Sequence, residues 1–260
     1  MRSNTTKFMG LALAIFLSVL ALPMTAGTSF AEEAVCVFVS NEGNAWVVHK
    51  DSSVKSTLKV GDPVFDGDSL YVTQGNFAQL AFDKGMQNIV RLEGDTNVKI
   101  SGSGATQLDL ASGKIFALLD NKETASQFKV YTPTAIAAVR GTHYQVNFLN
   151  ARTEVATYQG AVQVTARDAN GKAMPGPVMV EAGKKTAVET VGHAPLAPQA
   201  MSYDEMRQID SVIGDAKKAR KLMGNQTIGL AEPDKNTAAD ASKKLNGKSK
   251  KAAEKGMVIL

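Results

Sequence analysis

Short apolar–polar alternations cut by glycine-containing turns run from Ala34 to about Val191, and they constrain this 260-residue chain more than anything else in it. Ala45-Trp-Val-Val48, Phe77-Ala-Gln-Leu-Ala-Phe82, Ile89-Val-Arg-Leu92, Asn97-Val-Lys-Ile100 and Gln107-Leu-Asp-Leu110 have a period of two or close to it. Phe128-Lys-Val-Tyr131, Tyr144-Gln-Val-Asn-Phe148, Glu154-Val-Ala-Thr-Tyr158 and Ala161-Val-Gln-Val-Thr165 continue the pattern. A period of two puts alternate side chains on opposite faces of a strand, so each run can bury one face. Between the runs sit Gly61-Asp62, Asp66-Gly67, Gly75-Asn76, Asp83-Lys-Gly85, Gly94-Asp95, Ser112-Gly113, Gln159-Gly160, Asn170-Gly171 and Ala182-Gly183. Such pairs supply the left-handed backbone that tight connections need. Turn signals spaced about eight to twelve residues apart leave an all-β sandwich, barrel or solenoid. Gly113-Lys-Ile-Phe-Ala-Leu-Leu119, bracketed by Gly113 and Asp120-Asn121, reads as a buried strand. No stretch before residue 200 shows a helical period longer than about two turns.

Both ends of the chain differ from this body. Arg2 and Lys7 precede an uncharged apolar stretch from Phe8 to Met24, and Thr25 to Ala31 is rich in small residues. That order reads as an export signal cleaved near Ala31, with an uncleaved anchor as the alternative. The apolar stretch is short for a span of about 30 Å, and Pro23 and Gly27 interrupt it. Around Pro195 and Pro198 the composition shifts. Ser202-Tyr-Asp-Glu205 is a capping box, in which hydroxyl and carboxylate satisfy each other's free backbone N–H groups. Met206, Ile209, Ile213 and Ala216 follow at helical spacing with Val212 beside them, and Gly224 marks the stop. The expected helix packs on the body along this stripe. The organisation is therefore an export signal over 1–31, a β domain over 32–195, a linker and amphipathic helix over 196–225, and a Lys/Ala-rich tail over 226–260. That tail has little to bury, and disorder is its expected state.

Charge follows the same division. The chain carries 29 Lys/Arg against 25 Asp/Glu, a net +4. Residues 201–260 hold 12 basic against 8 acidic residues, whereas residues 32–200 hold 15 against 17. The body lacks a basic surplus, so nucleic acid is not an expected partner. Cys36 is the only cysteine, which rules out an intrachain disulfide; between Val35 and Val37 it reads as a small buried hydrophobe.

Chemistry-bearing patterns are missing from the sequence. His49, His143 and His193 show no metal-ligand spacing, and Asp66-Gly-Asp68 lacks the later ligands of a calcium loop. There is no nucleophile elbow, phosphate loop or dinucleotide fingerprint. Catalytic, cofactor-binding and metal residues are accordingly none, and the chain is expected not to be an enzyme. Trp46, Tyr71 and Tyr158 are candidates for sugar stacking, although alternating strands normally bury such rings.

Val130-Tyr-Thr-Pro-Thr-Ala-Ile-Ala-Ala-Val-Arg-Gly-Thr-His-Tyr-Gln-Val146 packs a proline turn, a narrow apolar strand, one arginine, one glycine and a second strand into one run. Pro133 cannot donate to a ladder, so a strand ending at Thr132 turns there. Gly141 permits a backbone conformation closed to other residues. Arg140, in apolar surroundings, reads as a fold-internal ion pair or carbonyl clamp, with Asp62, Asp68 or Asp95 as a plausible carboxylate.

This run closely resembles the signature of FecR-type periplasmic domains, with Thr132, Pro133, Arg140, Gly141 and Thr142 as its fixed points. The resemblance covers about Asn41 to Thr190. It includes Leu58-Lys-Val-Gly-Asp62 with Gly67-Asp-Ser-Leu70, Ala78-Gln-Leu-Ala-Phe-Asp83 with Gly85, and Leu110-Ala-Ser-Gly-Lys-Ile115. Tyr158-Gln-Gly-Ala-Val-Gln-Val164 and Val180-Glu-Ala-Gly-Lys184 close it. It implies a mainly β body, sandwich or jelly-roll-like, with signature residues that are structural. Signalling members of the family carry a cytoplasmic anti-sigma segment and a membrane helix ahead of this domain, and they relay the state of an outer-membrane transporter. Only seven residues precede the apolar segment here, so no anti-sigma region is expected. The expectation is a non-catalytic module, periplasmic or extracellular, that binds an envelope or outer-membrane protein in sensing or a surface assembly. A carbohydrate- or cell-wall-binding sandwich is the alternative.

Overall fold

The computed structural model describes residues 34–102, 106–120, 128–139 and 141–223. The expected export signal, the basic tail, Gly224 and Arg140 lie outside the described residues. In chain order the strands begin with β1 (Cys36–Glu42), β2 (Ala45–Val48), β3 (Lys55–Thr57), β4 (Pro63–Val64), β5 (Ser69–Val72) and β6 (Phe77–Ala81). They continue with β7 (Asn88–Glu93), β8 (Asn97–Ser101), β9 (Gln107–Leu119), β10 (Lys129–Tyr131), β11 (Ala135–Val139) and β12 (His143–Leu149). The last are β13 (Arg152–Gln159), β14 (Ala161–Ala166), β15 (Val178–Glu181), β16 (Lys184–Val188) and β17 (Gln199–Ala200), followed by one helix, α1 (Tyr203–Met223).

Two sheets form the body. In the first the order is β4, β1, β6, β7, β9, β12, β13, β16 and β17, antiparallel throughout. In the second it is β3, β2, β5, β8, β9, β10, β11, β14 and β15, with β9–β10 the one parallel pair among the described residues. Strand β9 belongs to both sheets: Gln107–Ser112 pairs in the second and Gly113–Leu119 in the first. Ser112-Gly113 is therefore not the chain reversal its composition announces. Gly113 has φ +96°, and a Cβ there would sit 2.5 Å from the Thr96 Cα. The register shift opposite Asn97/Val98 adds a bulge, and together they bend one long strand from sheet to sheet. A glycine with this conformation serves a bend inside a strand as well as a turn, and only the neighbouring strands decide between the two.

Between the sheets lies the main core, built from the alternate positions read in the sequence. Leu80, Leu92, Ile115, Tyr144 and Val146 of the first sheet face Val47, Leu70, Ile100, Leu108, Val130 and Val164 of the second, all buried. Burying each such side chain stabilises the fold by about 1.5–3 kcal/mol before entropic costs. Cys36 is fully buried in this core, and burial pushes its thiol well above the ordinary range, so it behaves as a hydrophobe.

Helix α1 adds a third layer on the outer face of the first sheet. The capping box forms: the Ser202 N–H donates to Glu205 Oε2 (2.7 Å) and the Glu205 N–H to Ser202 Oγ (3.2 Å). Ile209, Val212, Ala216, Ala219 and Met223 pack on Val37, Val39, Ala81, Ile89, Phe116, Leu118 and Tyr158. Met206 and Ile213, counted in the apolar stripe, are only half-buried.

Candidate functional site

The sandwich has two outer faces, and they differ in every respect that matters for recognition. On the helix-capped face, cross-strand register aligns Gln79, Arg91, Phe116, Gln145, Ala156 and Lys185 in one row. Gln79 is fully buried, and neither atom of its amide has a hydrogen-bond partner among the described residues. Arg91 lies against the Phe77 ring at 3.8 Å and pairs with Glu93 (2.7 Å) and, across the interface, with Asp215 (2.5 Å). The Tyr158 hydroxyl donates to Gln145 Oε1 at 3.2 Å, and burial with the nearby Glu205 and Glu154 charges pushes it up to about 12. Lys185 pairs with Glu205, whose carboxyl is held down to about 2 by that bond and by the Ser202 backbone.

At its far end the helix is tied by a charged chain. Arg220 donates to the carbonyls of Met86 (2.6 Å) and Gln87 (3.5 Å) and to Asp120 Oδ2 (3.1 Å). Asp120 Oδ1 lies 2.8 Å from His143 Nε2. Burial acts to raise the Asp120 carboxyl, but the His143 and Arg220 bonds outweigh it and the net shift is downward. His143 is thus a latch component beside the signature.

Among the described residues, no element covers the outer face of the second sheet. Its strands read Thr57, Trp46, Tyr71 and Asn97 across one row. The next row is Lys55, Val48, Ser69, Lys99, Asp109, Tyr131, Ile136 and Thr165. A third holds Ser101, Gln107, Lys129, Ala138, Gln163 and Met179. Trp46 and Tyr71 are directly opposite one another and half-exposed rather than core, because both occupy the outward phase of their strands. Tyr158, the third sugar-stacking candidate, lies on the other sheet under the helix, so the three do not converge. The ring faces on the open sheet are not bare. Lys55 Nζ sits 5.8 Å from the Trp46 ring centre and 5.1 Å from that of Tyr71, and the Arg167 guanidinium lies 5.7 Å from Tyr131. Among the described residues, Lys55, Lys99 and Lys129 form no ion pair.

The signature run borders this face. Thr132 closes its turn through N–H to Ala135 O (2.9 Å), with the Ala135 N–H donating back to Thr132 Oγ1 (2.9 Å). Thr153 Oγ1 bonds both Thr132 Oγ1 and Thr134 Oγ1 at 2.6 Å, a buried hydroxyl triad. Arg167 clamps the turn from outside, donating to Thr132 O (2.6 Å) and Gly171 O (2.8 Å). Pro133 is exposed at the tip, Gly141 has φ +66°, and Thr142 is buried with its hydroxyl unpartnered among the described residues. Of the carboxylates considered for Arg140, Asp68 accepts from Lys50 N and Phe65 N, with His49 Nδ1 at 3.0 Å, and Asp62 accepts from Lys59 N. Asp66-Gly-Asp68 is in this way a turn that satisfies backbone donors, Asp66 taking the Gly102 N–H at 2.8 Å. Arg167 escaped the sequence reading, since nothing local ties it to a turn 35 residues earlier. The cations Lys55, Lys99 and Lys129 escaped it because their shared face exists only through cross-strand register.

Residues 68–163 match the model of the family described as FecR protein. Two crystal structures of a candidate anti-sigma factor from Parabacteroides distasonis ATCC 8503, at 1.65 and 2.50 Å, are similar to this chain. They share 16% and 17% identity with TM-scores of 0.43 each, covering 59% and 56% of this chain and 74% and 71% of theirs. No curated protein matches the chain.

Proposed function

The chain carries a FecR domain, and from that premise we propose that it is an exported, non-catalytic module of envelope signalling that recognises another envelope protein through its open sheet face. The observation that carries the reading is the asymmetry of the sandwich. One outer face is covered by its own helix, while the other presents Trp46, Tyr71, Tyr131 and Arg167 to solvent. Trp, Tyr and Arg are the residue types that anchor protein interfaces. No helix among the described residues is long and apolar enough to cross a membrane. Residues 1–31 act as the export signal, cleaved near Ala31, and residues 32–195 form the binding body. Thr132, Pro133, Gly141 and Thr142, with Arg140, shape the domain rather than touch the partner.

A photo-crosslinker at Gln163, on the open face, tests the reading in the producing cell. The expected result is a discrete adduct with one envelope protein, lost in the Trp46→Ala/Tyr71→Ala variant. No adduct, or the same adduct in that variant, overturns it. The adjacency of Trp46 and Tyr71 on an open sheet supports a second reading, a carbohydrate-binding module. A glycan array without hits removes that one.

A further inference from the structure

We propose that the open sheet face binds an extended, acidic segment of a partner protein, laid across the strands between the Trp46–Tyr71–Lys55 corner and the Tyr131–Arg167 corner. This rests on the protein-recognition reading and adds the chemistry of the partner. Trp46 on β2 and Tyr131 on β10 are separated by β5, β8 and β9, four inter-strand steps. At about 4.8 Å per step the two aromatic corners stand roughly 19 Å apart, the length of about six residues of extended chain. Lys99 on β8 lies in the interval, and Lys129 stands on β10 one row beyond Tyr131. Lys55, Lys99 and Lys129 are exposed and form no ion pair among the described residues, Lys99 facing Asp109 across the strands, so each ammonium is accessible to a carboxylate. The one acid in the interval, Asp109, faces Lys99 and has its carboxyl raised by burial, which outweighs the opposing pull of Arg167 and Lys99. A net positive stripe remains.

The capped rings select the class of ligand. A sugar stacking on Trp46 or Tyr71 must displace the Lys55 ammonium from the ring faces, whereas a carboxylate docks on that ammonium as it stands. An extended acidic peptide meets the Lys55 ammonium without displacing it from the rings.

The full chain should bind a fluorescent Glu-rich peptide of about ten residues, and a Gln peptide of equal length should not bind. Raising salt from ~50 to ~300 mM should weaken the complex. Lys55→Glu/Lys99→Glu/Lys129→Glu changes only exposed side chains and should lower affinity about tenfold or more, with an unchanged circular dichroism spectrum. Binding within about twofold of the wild type in that variant, carried instead by the lysine-rich tail, overturns the proposal. Alginate, a polyuronate, competing better than the peptide also overturns it and favours the carbohydrate reading. In the producing cell, the Gln163 adduct separates the two levels. If Trp46→Ala/Tyr71→Ala removes the adduct and the triple charge reversal leaves it, protein recognition stands and the acidic segment falls. If neither variant changes it, both fall.

Discussion

The two outer faces of the sandwich start from the same alternation of residues and end in opposite roles. Each sheet turns its apolar phase inward to Leu80, Leu92, Leu70 or Ile100, leaving a mixed phase outside. On the first sheet that outer phase includes Val37, Ile89, Phe116 and Leu118, enough apolar surface to bind an amphipathic helix. On the second, Lys55, Lys99, Asp109 and Lys129 are interspersed among half-exposed rings and the scattered apolar residues Val48, Ile136 and Met179, and no described helix covers them. Burial on one side and solvation on the other follow from a handful of outward positions.

Because the comparison is one of burial, the largest effects fall on the capped side. Val212→Asp, placing a carboxylate in the helix seam, should cost about 3–5 kcal/mol in urea denaturation. A loss below about 1 kcal/mol would mean that the helix does not seal the face. Asp215→Ala leaves Arg91, whose side chain is 11% exposed, with Glu93 as its remaining carboxylate and removes the ion pair between helix and sheet, which should cost about 1–3 kcal/mol. Gln79→Met should act in the opposite direction. It removes a fully buried amide without partners among the described residues and should stabilise by about 1 kcal/mol.

On the open side, Lys55→Ala should change stability by no more than about 0.5–1 kcal/mol, the scale of an exposed cation–π contact. A larger loss would show that this corner supports the fold and is not a free surface. The capping box is read through the pH dependence of stability. Glu205 is held down to about 2 from an ordinary value of 4.5, first by Lys185 and then by Ser202. A depressed carboxyl stabilises the fold fully above about 4.5 and loses that contribution as pH falls toward about 2. Glu205→Gln should therefore flatten the acid side of the stability profile and leave the rest of the curve parallel to the wild type. Identical slopes below pH ~4.5 would show that the pair does not hold.

Much of this architecture was legible, and each gap has a physical origin. Period-two runs located the strands because alternation is local. Ser202 and Glu205 located the helix start because a cap needs only four residues. Asn150-Ala151, with φ +51° and +60°, turns β12 into β13 without any glycine, so composition gave no sign of it. The helix stripe includes Val212, Ala219 and Met223 and leaves Met206 and Ile213 half-buried, because Arg91–Asp215 and the Arg220 contacts at Met86 and Asp120 fix its rotation. Trp46 and Tyr71 looked like core residues. Which phase of a strand points outward depends on where the second sheet lies.

Local chemistry in the chain alone determined a strand-rich body, its turns, its capped helix and a signature around Thr132 and Pro133, since each depends on neighbours a few residues away. Tertiary structure decided which outer face received the helix, which glycine bent a strand instead of reversing it, and which cations came to share a surface. Those outcomes depend on contacts between residues far apart in sequence, such as Arg91 with Asp215 and Arg167 with Thr132, and no local pattern encodes their distance in space.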